Sequence, residues 1–171
     1  MLKNLTLTGM MGVGKSTIGK ILAKKLNYQF IDTDKLIEAK EGISINLIFK
    51  NKSENYFRKI EREITLQELK KKDSVISLGG GAFLSNTVRK RVKKLSTSFW
   101  LDVPVDELIK RLKKNKQRPM LFKKNVAETV KKIYFERKRF YNESDFRIKC
   151  YSFTSKEIAN KIIAFYEKSG N

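Results

Sequence analysis

The chain has 171 residues, a length typical of one domain, and its 40% hydrophobic and 33% charged residues indicate a globular protein. The absence of histidine and the presence of one cysteine, Cys150, exclude histidine-based catalysis, histidine-ligated metals and intrachain disulfides. The 38 basic and 18 acidic residues give a net charge of +20, which favours anionic partners (nucleic acid, acidic membranes or small phosphorylated molecules) unless it only reflects a lysine-rich surface.

Strands and helices alternate in the predicted secondary structure. Short apolar runs predict five strands, at residues 2–8, 28–31, 74–78, 98–103 and 146–150. Helical periodicity and capping residues predict eight helical segments, at residues 16–26, 34–41, 44–50, 53–72, 87–94, 104–112, 126–142 and 155–168. This alternation predicts a single-domain α/β fold, in which helices cover both faces of a parallel sheet.

Two further segments bear on organisation and location. Residues 113–125 are polar, basic and interrupted by Pro119, which predicts a loop or mobile lid. The first residues are predicted to form a strand rather than a targeting segment, and no run approaches about 18 apolar residues. We therefore expect a soluble, cytoplasmic protein that does not associate with membranes.

A phosphate-binding loop follows the first predicted strand. Residues 9–16, GMMGVGKS, satisfy the pattern G-x-x-x-x-G-K-[ST] between a strand and a helix, which is the context that this pattern requires. Its glycines let backbone amides surround a phosphate, Lys15 can reach the outer phosphates, and the Ser16 hydroxyl is placed to bind Mg²⁺. The loop therefore predicts a nucleoside triphosphate bound together with Mg²⁺.

Other polar groups are expected at the same edge of the sheet. Asp32 and Asp34 follow the second predicted strand, where they can hold metal-bound water and orient a hydroxyl nucleophile, or simply cap the next helix. The triple glycine at 79–81 follows the third strand and exposes backbone amides there. With the arginines, these groups suggest a multiply anionic or hydroxylated acceptor. The arginines in question are Arg58, Arg111, Arg118 and Arg137.

The chain resembles the shikimate kinases, a family of small kinases with a phosphate-binding loop, over roughly residues 2–168. The resemblance rests on six segments in order: GMMGVGKST (9–17), FIDTD (30–34), SENYFRKIE (53–61), SLGGGA (77–82), RPML (118–121) and YFERKRFY (134–141). It implies a five-stranded sheet of order 2-3-1-4-5 with a substrate-binding segment at about 33–62. It also implies a monomer that transfers a phosphoryl group from ATP to the 3-hydroxyl of shikimate, in aromatic amino-acid biosynthesis.

The resemblance implies a role for each matched residue. Asp34 would bind the shikimate hydroxyls and act as the base, while Lys15 and Arg118 would hold the phosphates during transfer. The residues implied in shikimate binding are Asp34, Arg58, Gly80, Gly81 and Arg137. The residues implied in ATP binding are Gly12, Val13, Gly14, Lys15, Ser16, Thr17, Arg111 and Arg118. Mg²⁺ would be bound directly by Ser16 and through water by Asp32.

The sequence departs from the family pattern in three places. Ser53 replaces a common glycine, Leu78 replaces a small residue or threonine, and residues 151–154 (YSFT) lack the arginine that some members place against adenine.

Two alternatives remain open: a small kinase with a gluconate or nucleoside acceptor, and a basic nucleic-acid-binding protein. The joint presence of Arg58, Arg137 and the triple glycine disfavours the first. Dispersed lysines and the lack of a nucleic-acid-binding motif disfavour the second.

Overall fold

The computed structural model describes residues 3–114 and 125–168, and within them the predicted sheet is confirmed. Its strands are β1 (Asn4–Thr8), β2 (Gln29–Asp32), β3 (Ser74–Ser77), β4 (Ser96–Asp102) and β5 (Phe146–Lys149). All pairings are parallel and the strand order is β2-β3-β1-β4-β5, as the resemblance implies. The predicted strand ends differ from the observed ones by at most two residues.

Eight α-helices connect or follow the strands in the described part of the chain. They are α1 (Lys15–Leu26), α2 (Thr33–Glu41), α3 (Ile45–Asn51), α4 (Glu54–Glu68), α5 (Asn86–Leu95), α6 (Val105–Lys114), α7 (Val126–Tyr141) and α8 (Ser155–Lys168), with a 3₁₀ segment (Ala82–Leu84) before α5. The chain runs from β1 outward to β2 and then returns through β3 towards β4. Because parallel crossovers are right-handed, this change of direction places α1 on one face of the sheet and α4 and α5 on the other. Helix α8 packs beside α1, and α4 packs beside α5. None of these helices is long and apolar enough to cross a membrane.

Two predicted helices have wrong bounds. Helix α4 ends at Glu68, not at residue 72, because the next backbone bonds run from Lys70 to Gln67 and from Lys71 to Glu68, a tighter i→i−3 pattern that leads into β3. Helix α6 runs from Val105 to Lys114 rather than from 104 to 112; the Pro104 carbonyl accepts the first helical bond from outside the helix. The remainder of the predicted lid, residues 115–124, lies outside the described residues.

The carboxyl ends of the strands bring the predicted polar segments to one edge of the sheet. In the register of β1 with its neighbours, Leu7 pairs with Ser77 and Thr8 pairs with Trp100, while Asp32 of β2 pairs with Ser77. The segments that follow these strands therefore start side by side. In open α/β sheets, ligands bind at this edge.

The apolar core consists of a large cluster around the sheet and a smaller cluster beside it. Strand β1 is buried along its whole length, which matches its central position. The smaller cluster joins α2, α3 and α4 through Ile37, Ile48, Phe57, Ile60 and Ile64. Burial of each such side chain contributes about 1.5–3 kcal/mol. This cluster fixes α4, and hence the polar side chains next to it on α4, against α2.

Candidate active site

The phosphate-binding loop connects β1 to α1 in a conformation that requires glycine. Gly9 has φ +135° and Gly14 has φ +99°, values that side chains rarely allow. A Cβ atom on Gly9 would lie 2.6 Å from the Leu101 carbonyl oxygen of the adjacent strand β4. Gly14 precedes the first residue of α1, so the amino end of that helix faces the loop.

Two side chains at the start of α1 are held in defined positions. The Lys15 side chain is buried, and its Nζ donates hydrogen bonds of 2.9 Å to the carbonyl oxygens of Gly9 and Met10. The Ser16 hydroxyl donates to Asp32 Oδ2 at 2.6 Å, whereas Thr17 is exposed. Hard oxygen donors of this kind suit Mg²⁺, which usually takes few protein ligands besides phosphates and water.

Asp32 has two structural partners at once. Its Oδ1 accepts hydrogen bonds from the backbone amides of Asp34 and Lys35, and thus caps α2, while its Oδ2 accepts the bond from Ser16. Asp32 therefore caps α2 and lies beside the phosphate loop at the same time. The cap also orients Asp34, which lies in the first turn of α2.

The triple glycine turn packs tightly among charged groups. The Gly79 amide donates to Thr33 Oγ1 at 2.9 Å, and a Cβ atom on Gly79 would lie 2.5 Å from Asp34 Oδ1 and 2.6 Å from Glu61 Oε1. The guanidinium of Arg58 occupies the space where Gly81 would carry a side chain. The structure therefore brings Asp34 and Arg58 against the glycine turn.

Helix α7 contributes a second pair of side chains to the turn. The Gly80 carbonyl oxygen accepts from Arg137 Nη1 at 2.9 Å and from the Tyr141 hydroxyl at 2.5 Å. The turn also lies beside the phosphate loop, since a Cβ atom on Gly80 would lie 3.6 Å from the Met11 amide nitrogen. Sequence reasoning missed Tyr141, although its i, i+4 spacing from Arg137 places both on one face of α7.

Glu61 is a second residue that sequence reasoning missed. Its carboxylate is buried and accepts from Arg58 Nη1 at 2.7 Å, while Glu54 accepts from the exposed side of the same guanidinium at 3.1 Å. Burial raises the pKa of the Glu61 carboxyl, Arg58 opposes that rise, and the nearby Asp34 adds to it. The i, i+3 spacing of Arg58 and Glu61 is a signal that could have identified this pair.

We expect the raised pKa of Glu61 to appear in the pH dependence of stability. Between the unfolded pKa near 4.5 and the higher folded pKa, the unfolded chain releases this proton first, so the free energy of unfolding falls as pH rises. The Glu61→Gln variant lacks this contribution. Urea unfolding at several pH values should show the stability of the wild type decreasing relative to the variant from pH 4 towards neutrality; a relative increase would contradict the assignment.

The predicted nucleotide side of the site is bounded by α6. Gly12 packs against Leu112 of α6, and a groove of about 450 Å³ beside that helix is lined by Pro104, Asp106, Glu107, Lys110, Arg111, Tyr151 and Ser152. Arg111 Nε lies 3.7 Å from Glu107 Oε1 and the side chain is partly exposed. Arg118, predicted to contact the phosphates, lies outside the described residues.

A separate groove of about 540 Å³ contains none of the predicted site residues. It lies between α4 and α5 and is lined by Leu66, Lys70, Asn86, Thr87, Lys90, Arg91 and Lys94. Its position follows from the packing of these two helices, and its charge from the lysine-rich surface. The polar groups that chemistry would need are instead gathered at the edge of the sheet.

The observed arrangement can bind two different polar molecules side by side. The phosphate loop with Lys15 and Ser16 suits a polyphosphate, and the adjacent turn with Arg58 and Arg137 suits a carboxylate-bearing acceptor. Asp34 lies beside the same turn, where a carboxylate can orient a hydroxyl. Such a site is suited to phosphoryl transfer, which mainly requires positioning and charge neutralisation.

The relatives with similar sequence, and the solved structures that share more than 25% identity with this chain, are shikimate kinases. The family model "Shikimate kinase" matches residues 11–167. A shikimate kinase of Sulfurihydrogenibium sp. (strain YO3AOP1) is 41% identical over 162 residues, which cover 95% of this chain and 96% of that protein. A shikimate kinase of Persephonella marina is 39% identical over 95% of this chain and 98% of that protein. The solved structure of a shikimate kinase from Acinetobacter baumannii in complex with shikimate superposes with a TM-score of 0.93, at 29% identity, over 99% of this chain and 95% of that one.

Proposed function

The chain belongs to the shikimate kinase family, and we propose that it catalyses the reaction of that family, in which ATP and shikimate give ADP and shikimate 3-phosphate. One observation carries the proposal: the glycine turn at 79–81 contacts Asp34, Arg58 and Arg137 and also lies beside the phosphate loop. A nucleoside acceptor, which has no carboxylate, would make less use of these two arginines.

We propose that the glycine turn and its neighbours bind shikimate. Arg58 and Arg137 come from different helices and both reach the turn, so they can hold one carboxylate between them through charge-assisted hydrogen bonds. The amides of Gly80 and Gly81 would donate to the same molecule. Asp34 would accept hydrogen bonds from its hydroxyl groups, because its carboxylate faces the turn from the start of α2.

ATP is proposed to bind with its phosphates on the amides of Gly12 to Thr17, including Val13 and Gly14. Lys15 would move its ammonium group from the loop carbonyls to the outer phosphates, and Arg118 would approach from the predicted lid at 113–125. Arg111 is proposed to lie on the adenine side, since it lines the groove next to α6.

Mg²⁺ is the proposed cofactor, bound directly by Ser16 and through water by Asp32. These two side chains share a hydrogen bond of 2.6 Å, so their oxygens already converge on one point beside the loop. The ion supplies neutralisation of phosphate charge when it is bound. Asp32 stays oriented throughout, because its second oxygen caps α2.

The proposed sequence of events follows from these positions. Asp34 orients the 3-hydroxyl of shikimate and takes its proton as the oxygen attacks the γ-phosphorus, and the bond to the ADP oxygen breaks. Lys15 and Arg118 stabilise the negative charge on the transferring group. Closure of the 113–125 segment would exclude water and limit ATP hydrolysis.

The oligomeric state, domain organisation, location and partners of the protein are also proposals. The family resemblance implies an enzyme that acts as a monomer, and we propose residues 33–62 as its substrate-binding segment within a single domain spanning 1–171. We expect it to act in the cytoplasm on small molecules, without nucleic acid or membrane as a partner. The dispersed lysines then serve solubility.

The acceptor can be tested directly by coupled ADP release with Mg-ATP. The assay is run with shikimate, with gluconate and without an acceptor. Turnover that depends on shikimate is the expected result. Turnover only with gluconate would retain the phosphate loop but overturn the roles of Asp34, Arg58 and Arg137, and the absence of turnover with either would overturn the proposed function.

The Arg137→Ala variant should bind shikimate more weakly with little effect on ATP. Loss of a charge-assisted hydrogen bond, of about 1.5–3 kcal/mol, raises the KM for shikimate about 10- to 100-fold. Steady-state kinetics with each substrate varied in turn measures this. Arg139→Ala, an exposed arginine on the same helix, is the matched control and should change neither KM. A rise confined to the KM for ATP would contradict this role and indicate that Arg137 binds the nucleotide instead of shikimate.

A further inference from the structure

Arg89 is a buried arginine whose guanidinium is bonded to the backbone that follows the glycine turn. It lies on α5 with 9% of its surface exposed, and its Nη1 donates to the carbonyl oxygens of Phe83 at 2.9 Å and Leu84 at 2.7 Å. These two residues belong to the 3₁₀ segment, which begins immediately after Gly81. Arg89 therefore binds the carboxyl end of the same short stretch of backbone that carries Gly80 and Gly81.

The other side of the same guanidinium contacts the carboxyl end of α7. Arg89 Nε lies 3.0 Å from Glu143 Oε1, and its guanidinium carbon lies 4.8 Å from the centre of the Phe140 ring. One helical turn before Phe140, Arg137 donates to the Gly80 carbonyl. The glycine turn is thus joined to α7 twice, through Arg137 and Tyr141 at Gly80 and through Arg89 four residues later.

We infer that Arg89 is a positioning residue for the acceptor site. It holds the 3₁₀ segment against the end of α7 and so fixes the distance between the Gly80 and Gly81 amides and the Arg137 guanidinium. A buried guanidinium is costly unless it is paired. Arg89 is paired through two hydrogen bonds from Nη1 to carbonyls and through an ion pair between Nε, which makes no hydrogen bond, and Glu143. The planar fork of arginine can span these partners, which lysine cannot. The inference rests on the proposed function, because it assumes that these amides and Arg137 bind one acceptor.

The test compares Arg89→Met and Arg89→Lys with Arg139→Met. Arg139 stacks on the same Phe140 ring, at 4.6 Å, but is exposed and has no hydrogen bond to the 3₁₀ segment, so it is a matched control. Arg89→Met is expected to raise the KM for shikimate at least about tenfold, with the KM for ATP within about twofold of the wild type. Arg89→Lys should give a smaller rise and Arg139→Met none.

Equilibrium binding supplies a readout that does not need turnover. Trp100 is the chain's single tryptophan, and its ring lies 6.0 Å from that of Tyr141, which is bonded to Gly80. Its fluorescence can therefore follow a shikimate titration, and the dissociation constant should rise by the same factor as KM. If Arg89→Met does not fold, Glu143→Gln, which keeps the backbone bonds of Arg89 but weakens its link to α7, should raise the KM for shikimate selectively.

The possible results separate the two proposals. A wild type that neither turns over nor binds shikimate overturns the proposed function. An active wild type overturns the inference on Arg89 if the variants leave the KM for shikimate unchanged, raise both KM values equally, or behave like Arg139→Met. A rise confined to shikimate, partly restored by lysine, supports it.

Discussion

We expect the Lys15→Ala variant to lose phosphoryl transfer, with kcat reduced about 10³-fold or more. Lys15 is buried at the start of α1 and bonded to two carbonyls of the phosphate loop, so its ammonium charge is held at the loop, from which it would move to the outer phosphates of ATP. An alanine leaves the glycine backbone to bind the nucleotide but removes the charge that neutralises the transferring group. Coupled ADP release at saturating shikimate and Mg-ATP measures the loss.

Two controls separate this effect from a general loss of structure. Lys20→Ala removes an exposed lysine from the same helix, and we expect it to retain wild-type kcat. Thermal unfolding of both variants shows whether the fold persists, since Lys15 also bonds the loop itself. Near-normal turnover of Lys15→Ala in a folded protein would show that the loop is not the catalytic phosphate site.

The phosphate loop and the sheet could be predicted because their determinants are local in the sequence. The glycines, Lys15 and Ser16 lie within eight consecutive residues, and the positive φ angles of Gly9 and Gly14 are what that pattern requires. The alternation of strands and helices then dictates a parallel sheet. The strand order did not follow from alternation alone, and was implied by the resemblance.

The parts of the site that were missed depend on contacts between distant segments. In the sequence alone, Glu61 looks like an ordinary charged residue of a helix. In the structure, the packing of α4 against α2 places its carboxylate beside Gly79, facing Asp34. In the sequence alone, Tyr141 looks like an aromatic residue of the core, and it is indeed buried. Its hydroxyl, however, donates a hydrogen bond to the carbonyl oxygen of Gly80, 61 residues earlier in the chain. Helical spacing places each residue on the same face as its partner arginine, but it does not predict the contact with the glycine turn, which follows only once the helices are packed.

At the end of α4, by contrast, a local sequence pattern predicts the wrong structure. The lysines at 70–72 are good helix formers, and propensity alone extends the helix through them. The structure ends it at Glu68 because the chain must turn into β3, with Asp73 at φ +50°. Tertiary packing, in this case the position of β3 beside β1, overrides propensity at helix ends more readily than in helix interiors.

The second large effect is expected for Asp34→Asn, with kcat reduced about 10²- to 10⁴-fold at saturating substrates. Asparagine keeps the shape of the side chain beside Gly79 and can still contact a hydroxyl, but it cannot accept the proton of the attacking group. The effect should therefore be larger on kcat than on the KM for shikimate. Steady-state ADP release across a range of shikimate concentrations distinguishes the two parameters.

Asp34 also lies in the first turn of α2, where a carboxylate stabilises the helix dipole, so a loss of activity must be separated from a loss of stability. Glu128→Gln removes an exposed carboxylate from the first turn of α7 and is the matched control. If both variants lose about the same small amount of stability, of roughly 0.3–1 kcal/mol, and only Asp34→Asn loses turnover, Asp34 acts on the substrate. If Asp34→Asn is merely less stable and turns over normally, its carboxylate serves the helix alone, and the proton of the 3-hydroxyl must leave by another route.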